Sequence, residues 1–286
     1  MRGILCACAA VLVSGSTALA VDDWDIYMLR LANRARQDPA GEPARIGTSV
    51  TDADTTPRPP LAYDLLVGAA ATSHNNWMHA NLGAVARENG AVPDSLTHFE
   101  TGNGEPDGPP AIGSPSYTGV TVEDRLAAAG FNAAAAGQNI AAVWWTDPLP
   151  INAVLLNNYH RIWWENATAR GHMLNPDFRA FGVRCEGRGF NPPRGGLVAP
   201  IDFINFVTQN YAQPTAAPQT YILAMIYADL DGNGTWTPQP AGSPQREGHI
   251  GLPWRVLHAG TDDEVMSGVS ALPGALSINI GDGVYD

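Results

Sequence analysis

Lysine is absent from this chain, and basic charge is scarce. All 16 basic side chains among the 286 residues are arginines, and 28 acidic ones outnumber them, which gives a formal net charge of −12. So acidic a chain is not expected to bind nucleic acid or an anionic membrane surface. Without lysine, neither Schiff-base catalysis nor a Walker-type phosphate loop is available. Gly-x-Gly-x-x-Gly, Gly-x-Ser-x-Gly and His-Glu-x-x-His motifs are also missing, which excludes three further common catalytic or cofactor sites.

Long apolar runs are missing too, apart from a short one near the N-terminus. Arg2 precedes an apolar run at 4–13, and Ala18-Leu19-Ala20 is a small-residue cleavage site. The run is too short to cross a bilayer, so we expect a signal peptide cleaved after Ala20, an exported chain and no transmembrane segment. A lipoprotein box at 5–8 is the alternative, but it comes before the apolar run is complete.

Cysteine becomes rare once a signal peptide is removed. Cys6 and Cys8 lie within the first twenty residues, and only Cys185 follows them. A single cysteine predicts an exported chain without an internal disulfide. Because Cys185 lies in an apolar stretch, a buried structural thiol is favoured over a nucleophile.

Hydrophobic spacing predicts a mixture of helices and strands. Asp22 or Asp23 caps a first helix that ends before Pro39, and a proline-rich loop follows to Pro60. Further helices are predicted at 61–82, 121–129 and 151–164, strands at 179–186, 203–211, 221–227 and 252–258, a strand or buried helix at 138–145, and a loop at 101–119. Residues 214–219 read as a linker before a small β module at 220–286.

Histidine is the residue type most able to form a site here. His98 precedes the glycine- and proline-rich loop, and His172 follows Glu165 by seven residues. His74 and His79 are five residues apart on one predicted helix, about 140° around it, and cannot share a metal ion from that element. Spacing alone favours an ordinary structural role for each of these side chains.

A series of short motifs strengthens the prediction for two of these histidines. In chain order the motifs are LRLANRARQDP (29–39), PLAYDLL (60–66), AAATSH (69–74), THF (97–99), EDRLAAAGF (123–131), GQNIA (137–141), HR (160–161), GHMLNPDFR (171–179), GV (182–183) and VTQNY (207–211). Together they resemble the CAP superfamily (cysteine-rich secretory, antigen 5 and pathogenesis-related proteins) in its bacterial SCP-like form. The resemblance implies an α+β fold, a CAP-type α-β-α sandwich with a central antiparallel sheet at 21–213, followed by the small β-rich module.

The resemblance also implies a cleft that in many members holds two histidines and two acids. His98 and His172 match the two histidines, and Gln138-Asn139 stands where the family commonly has Glu-Asn. Glu165 lies near the position of the second acid in eukaryotic members. Two neutral imidazoles can bind Zn²⁺ or another divalent metal, whereas Gln138 can be neither an anionic ligand nor a general base. Any hydrolysis would depend on Glu165 or on metal-bound water.

A second metal site is suggested in the C-terminal module. Asp229, Asp231 and Asn233 occupy positions 1, 3 and 5 of a calcium loop, Gly234 occupies position 6, and Thr235 follows as a further candidate ligand. Position 12 is Pro240 instead of glutamate. The two interpretations are a weak Ca²⁺ site that orders an exported module and an Asx turn without metal.

Three functions fit these observations. The first is an exported binding protein whose cleft takes an apolar or carbohydrate ligand, with or without a divalent metal. Trp144-Trp145 and Trp163-Trp164 are candidates to stack on such a ligand, although core packing explains at least half of them. The second is a metal-assisted hydrolase of peptide or cell-wall material, and the third is a structural or adhesive exoprotein. The partner is accordingly a small ligand, a lipid or a glycan.

Overall fold

Helices and strands are mixed in the computed structural model, as the sequence predicts. The model describes residues 21–50, 53–89, 120–145, 150–189, 203–215, 220–225, 227–228, 230, 236–239, 251–257, 263–270 and 275–280. The helices are α1 (Asp23–Gln37), α2 (Glu42–Ile46), α3 (Leu65–Asn89), α4 (Val122–Ala128), α5 (Ala153–Glu165) and α6 (Ala167–Leu174). The strands are β1 (Ala62–Tyr63), β2 (Ala133–Trp145), β3 (Ala180–Gly189), β4 (Phe203–Pro214), β5 (Thr220–Met225), β6 (Pro253–Leu257), β7 (Glu264–Val269) and β8 (Ala275–Ile280).

A four-stranded sheet in the order β1-β3-β4-β2 forms the middle layer. β4 pairs antiparallel with both β2 and β3, whereas the two-residue strand β1 pairs in parallel with β3. Helices α1, α5 and α6 pack with the larger core cluster on one face, and α3 and α4 pack on the other. The α+β prediction and its sandwich arrangement are therefore confirmed, with β1 making the sheet locally mixed.

The central strand β4 explains how one sheet serves two faces. Side chains alternate along a strand, so Val207 and Tyr211 lie in the core beside α1 and α5, while Phe206 and Ala212 lie in the cores beside α3. Polar residues occupy both faces as well, and Thr208, Gln209 and Asn210 have no exposed surface. Buried polar side chains require hydrogen-bond partners, so each face of β4 carries a polar network beside its apolar core.

Helix caps predicted from the sequence are confirmed. The Asp22 carboxylate accepts from the amides of Trp24 and Asp25, and the Asp25 carboxylate accepts from the amide of Asp22, which forms a capping box at α1. Thr121 and Asp124 form the same arrangement at α4. The turn after α4 needs Gly130, whose φ of +90° is in the region that favours glycine.

Three short segments depart from the predicted pattern. The long helix begins at Leu65 and not at residue 61, because Ala62–Tyr63 joins the sheet beside Ala180–Phe181. The Asp64 carboxylate then accepts from the amides that begin α3. Helices α2 and α6 are not predicted by the sequence pattern. α6 follows α5 directly, because the extended backbone of Asn166 ends α5 while its side chain caps α6.

The region after the predicted linker contacts the main domain. β5 pairs with β8 and β6 pairs with β7, each as a two-stranded antiparallel sheet. Between them, Trp236 is buried in the larger core cluster. Arg30 Nη1 donates to the carbonyl oxygen of Trp236 at 3.3 Å, and the guanidinium carbon lies 5.2 Å from the indole centroid. The amide of Gln239 donates to the carboxylate of Asp23, so residues 236–239 are held against α1.

None of the helices in the described part of the chain is both long enough and apolar enough to cross a membrane.

Candidate functional site

His172 lies in the last turn of α6 and is partly exposed. Its Nδ1 atom is 3.0 Å from Oδ1 of Asn139 on β2, and Nδ2 of Asn139 donates to the carbonyl oxygen of Ala169 at 3.1 Å. A carbonyl oxygen only accepts, so Nδ2 of Asn139 must point to Ala169 and Oδ1 must point to His172. His172 therefore donates from Nδ1–H, and in the neutral imidazole the lone pair is on Nε2.

Gly137 gives the His172 ring its place against the sheet. A Cβ atom added at Gly137 would lie 2.8 Å from Cδ2 and 2.9 Å from Cγ of His172, and 3.1 Å from a ring carbon of Phe178. Because real Cβ atoms do not come within 3.0 Å of such neighbours, the His172 ring would have to move. Glycine at this position lets the imidazole lie directly over β2, where Asn139 reaches it.

The network continues to the central strand. Tyr211 lies beside Phe178, with ring centroids 6.2 Å apart, and its hydroxyl donates to Oε1 of Gln209 at 2.6 Å. Burial raises the pKa of Tyr211, although Arg36 and a hydrogen bond with Asn139 lower it, so the phenol stays protonated. Ring contacts and hydrogen bonds thus connect the side chains on this face from β4 to α6.

Gln138 lies on the opposite face of β2 from Asn139. Its Nε2 donates to Oδ1 of Asn210, its partner in the strand register, at 2.9 Å. On the same face, Thr208 donates to Oδ1 of Asn75 on α3 at 2.7 Å. Alternation along the strand separates the two amides of the GQN motif, so only Asn139 is brought to His172.

The structure does not bring the other predicted cleft residues that it describes to His172. Glu165 is the exposed last residue of α5, and within the described part of the chain no hydrogen bond or ion pair joins it to His172. His98 is outside the described residues, as are the calcium-loop candidates Asp229, Asp231, Asn233 and Thr235. Among the described residues, no group of three or more His, Cys, Asp or Glu side chains is arranged to hold a metal ion.

The remaining histidines of the described chain are structural. His74 has no exposed surface and stacks on Trp77, with ring centroids 6.0 Å apart. His79 packs edge-on against Phe206, and burial, aided by the charge of Arg188, lowers its pKa to about 4. The sequence favoured packing or surface over metal binding for both, and both are packed in the interior.

His160 belongs to a buried charge cluster instead of the cleft. Its Nε2 is 2.9 Å from Oε1 of Glu42, and Arg34 donates to both oxygens of the same carboxylate. Burial raises the pKa of Glu42, but the bonds from His160 and Arg34 outweigh it and bring the pKa to about 2. Burial lowers the pKa of His160, so a neutral imidazole donates from Nε2–H to the carboxylate. The sequence motif HR did not reveal this pairing, because Glu42 is distant in sequence.

Two of the four tryptophans considered for the site are core residues, and Cys185 is the buried thiol that the sequence favours. Trp163 and Trp164 are buried in the larger core cluster, whereas the side chains of Trp144 and Trp145 lie outside the described part. Cys185 is buried, and its backbone amide donates to the Asp25 carboxylate at 2.9 Å. Burial raises the pKa of its thiol well above the ordinary value, and the buried position agrees with the structural role that the sequence favours.

The chain is similar to a solved extracellular structure but matches no known family model. No model of a known protein family matches the chain, and no curated protein matches it. The chain is similar to an extracellular protein containing a SCP domain from Bacillus anthracis str. Ames, solved at 1.5 Å resolution, with a TM-score of 0.34 and 19% sequence identity. The match covers 66% of this chain and 40% of that one, so this chain spans less than half the length of that protein.

Proposed function

We propose that this protein is an exported, CAP-type binding protein whose ligand site is built around His172. The motif order in the sequence and the α-β-α arrangement support the CAP-type assignment. The pattern of Arg2, an apolar run and Ala18-Leu19-Ala20 supports export. The partner is a small apolar or carbohydrate ligand, bound with or without a divalent metal ion.

The pairing of Asn139 with His172 is the observation that carries the proposal. Histidines that bind metal ions usually donate their second ring N–H to a fixed acceptor, which sets the tautomer and the ring orientation. Here Asn139 is that acceptor, at 3.0 Å, and Ala169 fixes the orientation of its amide. A histidine held only for packing would not need this arrangement at a partly exposed position.

The described residues fit a divalent metal ion as one half of a site. In the tautomer that Asn139 selects, Nε2 of His172 carries the lone pair with which an imidazole binds Zn²⁺. The resemblance points to His98 as the source of a second nitrogen, and Gln138 contributes no anionic ligand. Such an ion would supply Lewis acidity to a bound ligand, while the chain's own residues hold and orient the imidazole.

Binding assays that separate the competing functions test the proposal. Residues 21–286 would be titrated with a fatty acid and with peptidoglycan oligosaccharides, with and without Zn²⁺, and compared with His172→Ala. The matched control is His258→Ala, because His258 lies outside the family motifs. Loss of binding only in His172→Ala supports the proposal. Turnover of a peptide or cell-wall substrate that His172→Ala abolishes would contradict it in favour of a hydrolase, and cell attachment lost on deleting 220–286 would favour an adhesive role.

A further inference from the structure

A half-buried carboxylate, Asp22, and a buried one, Asp25, meet at the start of α1. Asp25 is 1% exposed, and its two oxygens accept from the amides of Cys185 (2.9 Å) and Asp22 (3.2 Å). Arg184 is the cation on this side, with Nη1 3.6 Å from Oδ2 of Asp25. Burial raises the pKa of both Asp22 and Asp25, and their mutual repulsion raises that of Asp25 further. Ionising both therefore costs stability that an added positive charge would restore.

Val21 lies immediately beside these carboxylates. It packs against the larger core cluster and lines a shallow pocket together with Asp25, Tyr63, Thr72 and Arg184. The nitrogen of Val21 is three covalent bonds from the amide nitrogen of Asp22, a separation of roughly 4 Å at most. That amide is itself 3.2 Å from Oδ2 of Asp25, so the Val21 nitrogen lies within roughly 7 Å of the same carboxylate.

Val21 is also the residue that follows the expected cleavage site at Ala20. Before cleavage its nitrogen is an uncharged amide. Hydrolysis of the Ala20–Val21 bond by water gives a carboxylate on the released peptide and a free amine on Val21, which takes up a proton at neutral pH. The positive end of the α1 dipole repels a cation here. It is equivalent to only about half a unit charge, which is less than the negative charge of the two carboxylates together.

We infer that the α-ammonium group of mature Val21 forms an ion pair with Asp25 and Asp22 in this pocket. The inference rests on the proposed export, because that step exposes the amine. Removal of the signal peptide would thereby supply a positive charge that balances the carboxylates at the start of α1. The mature chain would be more stable than a chain extended at its N-terminus. The site's ligand is the chain's own new terminus.

A comparison of two N-termini tests the ion pair independently of the natural cleavage. Residues 21–286 with a free Val21 would be compared with the same chain preceded by two alanines, which moves the ammonium group away. We expect the midpoint of thermal unfolding at pH 7 to be several degrees higher for the free Val21 chain. Asp22→Asn retains a good helix cap and should reduce this difference, as should Asp25→Asn. Asp64→Asn, at the start of α3, should leave it unchanged.

The pKa of the Val21 amine gives a second readout. Its charged or titratable neighbours are Asp22, Asp23 and Asp25 at the start of α1, Tyr63 on β1, and Arg184 and Cys185 on β3. Measured by NMR on ¹⁵N-valine-labelled protein, the pKa should lie above the ordinary range of about 7.7–8.0. The added stability is then complete below the unfolded pKa and lost as the pH rises through the folded one. Equal midpoints for the two chains, or an amine pKa in the ordinary range, would overturn the ion pair.

The mass of the chain recovered from the medium of a secreting host tests the export step separately. A mass that begins at Val21 supports formation of the terminus in nature. A chain that begins elsewhere, or that is not exported, would overturn that step even if the engineered 21–286 chain shows the ion pair.

Discussion

Oδ1 of Asn139 and Nδ1 of His172 lie 3.0 Å apart, although 33 residues separate them in sequence. β2 supplies the amide and α6 supplies the imidazole, while the carbonyl of Ala169, one turn before His172 on α6, fixes which way the amide points. The pair therefore links a sheet edge to a helix end and sets the protonated nitrogen of the ring.

Replacement of Asn139 should remove the preference of His172 for the Nδ1-protonated tautomer. In the wild type we expect Nδ1 to be protonated, and in Asn139→Ala a shift towards the Nε2-protonated form that predominates in unconstrained imidazoles. Long-range ¹H–¹⁵N NMR spectra of the imidazole distinguish the two forms. If a metal ion binds His172, its affinity should fall about 10- to 100-fold in this variant.

Gln138→Ala is the matched control for that experiment. It removes a buried amide from the adjacent position of the same strand, but on the opposite face, where it bonds Asn210. The His172 tautomer should be unchanged in this variant. A tautomer insensitive to Asn139→Ala would show that the hydrogen bond does not set it.

Two glycines next to the site should respond in opposite ways to alanine. Gly137→Ala places a methyl group within 3.0 Å of the His172 ring, and overpacking of this kind costs about 1–3 kcal/mol. Gly171→Ala meets nothing within 4 Å and lies inside α6, where alanine is favoured by about 0.5–1 kcal/mol. Urea unfolding of both variants measures this. Similar free energies of unfolding for the two would contradict the packing of His172 over β2.

The sequence predicts much of this arrangement, but not the contacts that define the site. The caps at Asp22 and Thr121, the strands around residues 180 and 207, and the inert Cys185 follow from local patterns. Gln138 and Asn139 lie on opposite faces only because 138–145 is a strand. For this segment the sequence left both a strand and a buried helix open. Once the segment is a strand, period-two alternation requires the separation.

The buried pair of Glu42 and His160 should make stability sensitive to acid. The pKa of Glu42 is about 2 in the folded chain against 4.5 ordinarily, so its contribution is complete above about pH 4.5 and is lost as the pH falls towards 2. Burial also lowers the pKa of His160 from its ordinary value of 6.5. The wild-type chain therefore loses further stability as the pH falls below 6.5. The difference in unfolding free energy between wild type and Glu42→Gln should therefore shrink on acidification.

Glu123→Gln, at an exposed position of α4, is the control for Glu42→Gln. At pH 7, loss of one partner of a buried pair costs about 3–5 kcal/mol, whereas an exposed substitution changes stability by about 0.5 kcal/mol or less. Equal effects of the two substitutions would show that the Glu42 cluster contributes nothing specific. The sequence could not predict the cluster, because α2 is a five-residue helix within a proline-rich segment.

Trp236 should matter more to the main domain than its position in the C-terminal region suggests. It is 4% exposed, against α1, so Trp236→Ala should lower the unfolding free energy of the whole chain by about 3–5 kcal/mol. Trp254→Ala, a half-buried tryptophan on β6, should cost less. A main-domain transition unaffected by Trp236→Ala would mean that residues 220–286 are energetically independent of it.

Calorimetric titration of metal-free residues 21–286 with Zn²⁺ tests the site around His172 most directly. The experiment includes His98→Ala, His172→Ala and the His258→Ala control, each checked for native secondary structure by circular dichroism. We predict one Zn²⁺ site that is lost in either of the first two variants and retained in His258→Ala. Zinc binding that is absent in the wild type, or unchanged in His172→Ala, would contradict a metal site at His172.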